Sequence, residues 1–292
     1  MDGNKGMLSR KDVASYQRHG HLPGQRLLST AEAERFRNDC PRTCAQPIEL
    51  RDQNPYSLKR HASNRVKPYL LFPWAAELVR HPRILDMVEG VIGPDILVFH
   101  TTAWLKAPHS ENYVPWHQDA TYFGLAPFEH VTAWVALTPS RRESGCVRVI
   151  PGFHHKGQLA HFDDHSDPLT MLSRGQKLAD AIREDDAVDL VLEPGDVSLH
   201  HTLIVHSFGP NRSGDWRIGI GISYNPPACA ISGRPGYRRP WRGALIASTI
   251  LITRRCPRPN SMMPHLRSMP TRSPAIGKRR RVSRKCDTFI DL

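Results

Sequence analysis

The stretch Val114-Pro115-Trp116-His117-Gln118-Asp119 carries an imidazole and a carboxylate two residues apart. On a β-strand, residues i and i+2 project to the same face, so His117 and Asp119 can both point into the interior of a barrel. An imidazole and a carboxylate are two thirds of a facial triad, which leaves positions open for oxygen and a chelating co-substrate. A surface pair is the simpler interpretation of these two residues alone, so a third ligand must be sought.

The third ligand is expected at His206, which begins the turn His206-Ser207-Phe208-Gly209-Pro210-Asn211. Arg217 follows eleven residues later on a predicted strand and can turn back toward the same cavity. A guanidinium suits a dicarboxylate because it donates two parallel hydrogen bonds, and an Arg buried in an apolar strand is costly unless paired. The alternatives are that Arg217 points to solvent, and that His200 or His201 replaces His206.

Short β-rich runs surround these residues and predict a barrel or jelly roll. They are separated by turn sequences such as Glu193-Pro194-Gly195-Asp196, and a long insertion at 153–187, with a helical patch, is expected to form a lid. Before them, Ser29 and Glu32 form a capping box, and residues 74–91 predict a helix interrupted at Pro82. The predicted strands are residues 96–106, 130–138, 146–151, 188–192, 196–201 and 217–224.

The ordered motifs resemble the phytanoyl-CoA dioxygenase family over about residues 10–228. The resemblance implies a mainly β fold with flanking helices, built on a double-stranded β-helix (jelly-roll, cupin-like) core. Its expected divisions are an N-terminal part at 1–92, the oxygenase core at 93–228 and a basic tail at 229–292. The stretches that carry the resemblance are residues 16–20, 105–106, 114–119, 132–137, 144–146, 149–152, 192–196 and 206–217.

The resemblance also implies roles for individual residues. His117, Asp119 and His206 match the iron ligands, and Arg217 matches the residue that binds the far carboxylate of 2-oxoglutarate. Fe(II), 2-oxoglutarate and O2 are the implied cofactors and co-substrates, with release of succinate and CO2. Related halogenases have Gly or Ala in place of Asp119, so a carboxylate there indicates hydroxylation. The further residues expected to line the co-substrate pocket are Trp134, Gln118 and Lys106.

One departure from the family pattern concerns the residues after the third ligand. The family commonly has Gly-Ser there, and the Ser hydroxyl helps to hold 2-oxoglutarate, whereas this chain has Ser207-Phe208. A catalytically impaired relative of the family is therefore one alternative. The substrate itself is expected to be a small organic molecule that lies near the insertion and near Tyr122 and Phe123.

Composition limits the other functional classes. The net charge is +12, but 15 of the 40 Lys and Arg residues and only 2 of the 28 acidic residues lie in 231–292. Residues 1–230 therefore carry 25 basic and 26 acidic residues, a net charge of −1, which argues against nucleic acid as a partner of the main body. The alternative is a protein that binds nucleic acid through its tail.

The six scattered cysteines form no disulfide framework. No membrane span and no secretion signal is expected either. We expect a cytoplasmic monomer or homodimer.

The basic tail has a second interpretation. Residues 249–272, back-translated with free choice of codons and read one base out of register, give a continuous acidic sequence that resembles the family's ordinary ending. We therefore hypothesise a frameshift near Ser248. Its alternative is a genuine basic arm that includes Lys278-Arg279-Arg280-Arg281.

Overall fold

Two large antiparallel sheets, two short two-stranded sheets and a layer of helices make up the described part of the computed structural model, which covers residues 8–44, 64–231, 250–253 and 288–291. The helices are α1 Arg10–His19, α2 Thr30–Cys44, α3 Pro73–Leu78, α4 Pro82–Ile92 and α5 Asp119–Phe123. The strands are β1 His21–Arg26, β2 Asp95–Lys106, β3 Val114–His117, β4 Leu125–Ala126, β5 Val131–Ala136, β6 Val147–Ile150, β7 His161–Phe162, β8 Lys177–Leu178, β9 Val188–Leu190, β10 Asp196–His201, β11 Val205–Phe208, β12 Arg217–Asn225, β13 Ala230–Ile231, β14 Ile250–Thr253 and β15 Thr288–Asp291.

The helix starts follow the local sequence signals. Ser29 and Glu32 form the predicted capping box, since the Ser29 Oγ donates to the Glu32 carboxylate at 2.7 Å and accepts from the Glu32 amide at 3.3 Å. The predicted interruption is also confirmed, because α3 ends at Leu78 and α4 begins with Pro82 in its first turn. Helix α1 had no counterpart in the sequence prediction. Across the described ranges, no helix is both long enough and apolar enough to cross a bilayer.

The two sheets form the predicted jelly roll. The larger sheet has the order β1-β10-β5-β12-β2-β14-β15, and the smaller sheet has the order β3-β11-β6-β9. The six predicted strands correspond to β2, β5, β6, β9, β10 and β12, with ends that differ by up to two residues. Neighbours in each sheet come from distant parts of the chain, as when β12 lies between β2 and β5.

Strand β12 shows how alternation separates the core from the site. Ile218, Ile220 and Ile222 belong to the large apolar cluster that includes buried residues of α2, α3 and α4. Burial of each such side chain contributes about 1.5–3 kcal/mol. The alternate residues Arg217 and Gly219 face the other way, toward the space between the sheets, where Trp134 lies close to both. The strand therefore stabilises the helical layer with one face and presents the arginine to the interior with the other.

The insertion at 153–187 differs from the sequence prediction in one respect. It contains two 3-10 turns and the short β7–β8 hairpin, and its described residues include no α-helix. The expected helical patch is therefore wrong, because residues 177–178 pair with residues 161–162 and the Ala179 amide donates to Ala160 O at 3.0 Å instead of to its own segment.

Most of the basic tail lies outside the described residues, including Ser248 and the Lys278–Arg281 run. The two described pieces, β14 and β15, pair with each other, and β14 also pairs with β2. The frameshift and the basic arm both remain hypotheses.

Candidate active site

Three predicted metal ligands meet where β3 and β11 lie side by side. His117 and His206 are direct partners in this antiparallel pair, and their ring centroids are 4.2 Å apart. The Asp119 Oδ1 lies 3.6 Å from the His117 Nε2 and 3.7 Å from the His206 Nε2. One ligand atom from each residue fits within 4.8 Å of the others, so a single ion can bind all three.

Asp119 reaches this position differently from the expectation. It is the first residue of α5 and not part of a strand. Gln118, just before it, keeps an extended backbone (φ −119°, ψ 133°), so His117 and Asp119 still project to the same side. The two-residue spacing therefore still places both ligands on the same side, although the strand ends at His117.

Both histidines are oriented by their own backbone. The His117 Nδ1 lies 2.9 Å from Pro115 O, and the His206 Nδ1 lies 3.1 Å from Ile204 O. A carbonyl can only accept, so each Nδ1 carries the proton and each Nε2 presents its lone pair to the space near Asp119. Burial keeps the pKa of His206 well below its ordinary value, which favours the neutral form that a metal requires.

The two oxygens of Asp119 have different surroundings. Oδ1 faces the two ligand imidazoles, whereas Oδ2 accepts a hydrogen bond from the Thr132 hydroxyl at 2.9 Å and lies 3.6 Å from the His200 Nε2. Burial alone would raise the pKa of Asp119, but the neighbouring imidazoles of His206, His117 and His200 hold it well below its usual value. The carboxylate is thus ionised and arranged to bind a metal through Oδ1.

His200, the rival to His206, lies beside the Asp119 carboxylate and is only 2% exposed. It is not part of the ligand group that the described residues offer. Two neutral imidazoles and one carboxylate fit Fe(II) and leave coordination positions open. Thr132 was missed by sequence reasoning, although its position two residues before Trp134 on β5 puts both on the inner face.

Arg217 is the predicted co-substrate residue, and it is completely buried. None of its three side-chain nitrogens has a hydrogen-bond partner among the residues that the structure describes. The guanidinium lies 5.3 Å from the Trp134 ring and 4.7 Å from the Phe208 ring. Burial lowers the pKa of Arg217 to about 9, so it keeps its charge at neutral pH. A buried cation without a partner is unfavourable, and a carboxylate of a bound ligand would supply what is missing.

Lys106 lies directly across from Arg217 in the pairing of β2 with β12. Its Nζ donates to Gly209 O and is 4.6 Å from the Phe208 ring. Burial, and then the charge of Arg217, lower the pKa of Lys106 to about 6. A bound carboxylate would offset the repulsion between Lys106 and Arg217 and favour the charged form of Lys106. Both side chains could then face one anion.

Trp134 owes its position to a glycine. A Cβ at Gly219 would come within 2.5 Å of the Trp134 Cζ2, so only glycine lets the indole lie against β12. The Trp134 Nε1 is buried and finds no acceptor within the described part of the chain. The structure therefore brings together His117, Asp119 and His206 at one place, and Arg217, Lys106 and Trp134 at another, on the inner faces of the sheets.

Gln118 does not join the Arg217 pocket, in contrast to the sequence expectation. Its side chain is fully buried, and its amide donates to Leu203 O at 2.7 Å and to Gly157 O at 3.0 Å. Its side-chain oxygen accepts from the Leu159 amide at 2.8 Å. The extended backbone that aligns His117 with Asp119 turns the residue between them to the opposite side.

Comparisons with known proteins agree with this geometry. The family model described as phytanoyl-CoA dioxygenase (PhyH) matches residues 16–219. The peroxisomal phytanoyl-CoA dioxygenase of Bos taurus is 30% identical over 242 residues, covering 76% of this chain and 70% of that protein. The 1-deoxypentalenic acid 11-beta-hydroxylase of Streptomyces arenae is 30% identical over 174 residues, covering 56% of this chain and 61% of that protein.

Among solved structures, the apo form of the non-heme monooxygenase ThoJ has a TM-score of 0.64 and 29% identity. The similarity covers 81% of this chain and 92% of ThoJ. A ThoJ–Ni complex is similar at a TM-score of 0.60 and 27% identity, covering 81% and 93% of the two chains. This chain therefore belongs to the phytanoyl-CoA dioxygenase family and is a non-haem Fe(II)- and 2-oxoglutarate-dependent dioxygenase.

Proposed function

We propose that this dioxygenase hydroxylates a small organic substrate, with Fe(II) held by His117, Asp119 and His206 and with 2-oxoglutarate held by Arg217. The observation that carries the proposal is the buried guanidinium of Arg217, which lacks any partner in the described residues and faces the interior between the two sheets. Lys106 and Trp134 lie beside the same pocket and complete its lining.

The protein's contribution to this reaction is positioning and exclusion of water. Bound Fe(II) supplies oxygen activation that is coupled to oxidation of 2-oxoglutarate to succinate and CO2. Arg217 neutralises the far carboxylate of the co-substrate and thereby orients its other end. Phe208 and Trp134 keep water from the guanidinium, so that this interaction acts at low dielectric. Thr132 holds the Oδ2 of Asp119 and leaves Oδ1 for the metal.

Hydroxylation is preferred to halogenation in this proposal because Asp119 is a carboxylate. An acidic ligand takes the coordination position that a halide would need. Its Oδ1 lies close to both imidazoles and its Oδ2 has a donor of its own, so the carboxylate is a well-supported member of the ligand set.

The substrate is expected to enter where the insertion meets the mouth of the barrel. Tyr122 is 41% exposed there and lies 3.5 Å from the Ser173 hydroxyl of the insertion, while Phe123 packs edge-on against Phe99. A cavity of about 580 Å³ lies between the insertion and β2. Leu105 and Ser173 are among its lining residues, whereas the three metal ligands are not. Its size fits a small molecule. The relative from Streptomyces arenae, named for 1-deoxypentalenic acid, supports the same substrate class.

The remaining parts of the proposal are a monomer or homodimer, a cytoplasmic location and no nucleic acid partner for the main body. The peroxisome is the location to compare, since the mammalian relatives are named as peroxisomal. Salt-dependent DNA binding that survives deletion of residues 231–292 would contradict the last point, whereas binding lost on that deletion would favour the alternative of a tail that binds nucleic acid.

The proposal is tested by anaerobic titration with Fe(II) and 2-oxoglutarate, followed through the weak visible charge-transfer band of the chelate. We expect the band in the wild-type protein and its loss in His206→Ala. His201→Ala removes the second rival imidazole, five residues earlier and away from Asp119, and should keep the band, with circular dichroism as the check of folding. Absence of the band from the wild type, or its survival in His206→Ala, would overturn the assignment. Release of succinate from 2-oxoglutarate would exclude an inactive relative.

A further inference from the structure

Gln118 joins three segments of the chain that carry different parts of the site. It lies between two metal ligands, and its side-chain amide donates to Leu203 O, three residues before the third ligand. The same amide donates to Gly157 O and its oxygen accepts from the Leu159 amide, both in the insertion. Every hydrogen-bonding group of this carboxamide is therefore used to connect the insertion with the two ligand segments.

His161 makes a second connection at the same place. The backbone amide of Gln118 donates to the His161 Nε2 at 3.0 Å, so the ring proton must be on Nδ1. That Nδ1 lies 2.9 Å from Leu159 O and 3.1 Å from the Thr121 hydroxyl of α5. The imidazole thus connects the first strand of the hairpin in the insertion to the backbone immediately before Asp119.

We infer that Gln118 and His161 are positioning residues that couple the order of the insertion to occupancy of the metal site. The inference rests on the proposed function, because it takes His117, Asp119 and His206 as the ligands. A movement of 157–161 away from the barrel must break three hydrogen bonds to Gln118, whose two neighbours are ligands. Conversely, a metal that fixes those ligands fixes the surface on which the insertion rests.

A purely structural role makes a different prediction. Buried hydrogen bonds that only stabilise the fold would leave the insertion equally ordered with and without metal, and their loss would lower stability in both states alike. Coupling requires that the metal slows opening of the insertion in the wild type and no longer does so when the connection is removed.

Hydrogen exchange measured by mass spectrometry separates these roles, with Ni(II) plus 2-oxoglutarate as a probe that does not turn over. The reporter peptides cover 157–162 and 177–179. The Ala179 amide, which donates to Ala160 O, is a reporter that has no direct bond to Gln118. We expect the probe to slow exchange about tenfold in the wild type. Gln118→Met has similar size without the hydrogen bonds, and His161→Phe keeps the Gln118 carboxamide. Both variants should bind Ni(II), but the probe should not slow hydrogen exchange in these peptides.

The matched control is His155→Phe. His155 is exposed, lies in the same insertion and contacts Arg18 O at 3.2 Å, so its loss weakens a different attachment and should leave the Ni(II)-dependent slowing intact. Slowing that persists in both Gln118→Met and His161→Phe would overturn the inference. So would loss of Ni(II) binding in Gln118→Met, because Gln118 would then be needed for the ligand set itself. A wild type that fails to bind Ni(II) would contradict the proposed function and the coupling together, whereas normal binding without slowing would contradict the coupling alone.

Discussion

The guanidinium carbon of Arg217 lies 4.7 Å from the centre of the Phe208 ring. This contact provides a cation–π attraction, but it supplies no acceptor for the hydrogen bonds of the guanidinium, which has no partner in the described ranges of the chain. The protein therefore keeps a desolvated charge whose full stabilisation depends on a bound anion. The site is prepared for its co-substrate at a cost to the stability of the empty protein.

Replacing Arg217 by Met should make the ligand-free protein more stable. Met has similar length and no charge to desolvate, so each kcal/mol gained would raise Tm by roughly 2–4 °C. With Ni(II) present, 2-oxoglutarate at a hundredfold excess over Kd should stabilise the wild type by about 2.7 kcal/mol and so raise its Tm. The same change should abolish that rise. Thermal unfolding with and without 2-oxoglutarate measures both effects.

Arg212→Met is the control for that experiment, because Arg212 is exposed. It should leave Tm and the response to 2-oxoglutarate unchanged. A less stable Arg217→Met protein that still responds to 2-oxoglutarate would mean that Arg217 has a structural role and that the far carboxylate binds elsewhere.

Phe208→Ser should lower the stability of the protein and raise its affinity for 2-oxoglutarate. Phe208 is buried among Trp104, Trp134, Lys106 and Arg217, so truncation should cost about 3–5 kcal/mol. A Ser hydroxyl beside Arg217 is what the family pattern has at this position, and a hydrogen bond to a charged group contributes about 1.5–3 kcal/mol. We therefore expect a lower Kd for 2-oxoglutarate together with a lower Tm. Phe208→Leu separates the two, since it keeps an apolar side chain and adds no hydroxyl; an equal fall in Kd in both variants would contradict the explanation.

Alternation accounts for most of what the sequence could predict about this site. The spacing of His117 and Asp119 and the placement of Arg217 next to Ile218 define which side chains face the interior, and the fold class follows from the strand spacing. The roles of residues that depend on contacts between distant segments of the chain were harder to predict from the sequence. Thr132 contacts Asp119 across thirteen residues and His161 contacts Gln118 across forty-three, and no local pattern indicates either contact. Gln118 was expected in the co-substrate pocket from the family resemblance, whereas its side chain bonds to the insertion and to Leu203 O.

Thr132→Val should weaken metal binding without disturbing the fold. It removes the only hydroxyl that donates to the Oδ2 of Asp119 among the described residues, so the carboxylate can rotate and present either oxygen. Loss of such a supporting hydrogen bond commonly costs 10- to 100-fold in metal affinity, and we expect about that reduction for Fe(II) or Co(II). Anaerobic competition with a metal indicator gives the Kd.

The matched control is Thr101→Val on β2. Thr101 is equally buried, and its hydroxyl has no partner in the described parts of the chain, so its removal should leave metal affinity unchanged and stability no lower. If Thr132→Val binds metal as tightly as Thr101→Val, the Oδ2 contact has no function in ligand positioning.

Acid should destabilise the protein through a histidine cluster outside the metal site. His201, His154 and His155 pack in a row beside α1, with ring centroids 5.1 and 3.9 Å apart. The pKa of His201 is lowered to about 4, mainly by burial and then by the charges of His154, His130 and His155, with a backbone contact to Phe128 acting in the opposite direction. Burial also lowers the pKa values of His154 and His21, which lies close by on β1.

A histidine with a lowered pKa binds fewer protons in the folded state than in the unfolded state. Its stabilisation is therefore fully present above pH 6.5 and is lost as the pH falls toward about 4. His201 alone can account for at most about 3 kcal/mol of this loss. Denaturant unfolding of metal-free protein between pH 7.5 and 4.5 should therefore give a steeper pH dependence for the wild type than for His201→Gln. His165→Gln, at an exposed position, should follow the wild type. Parallel curves for the wild type and His201→Gln would show that His201 titrates normally and that its burial has no energetic consequence.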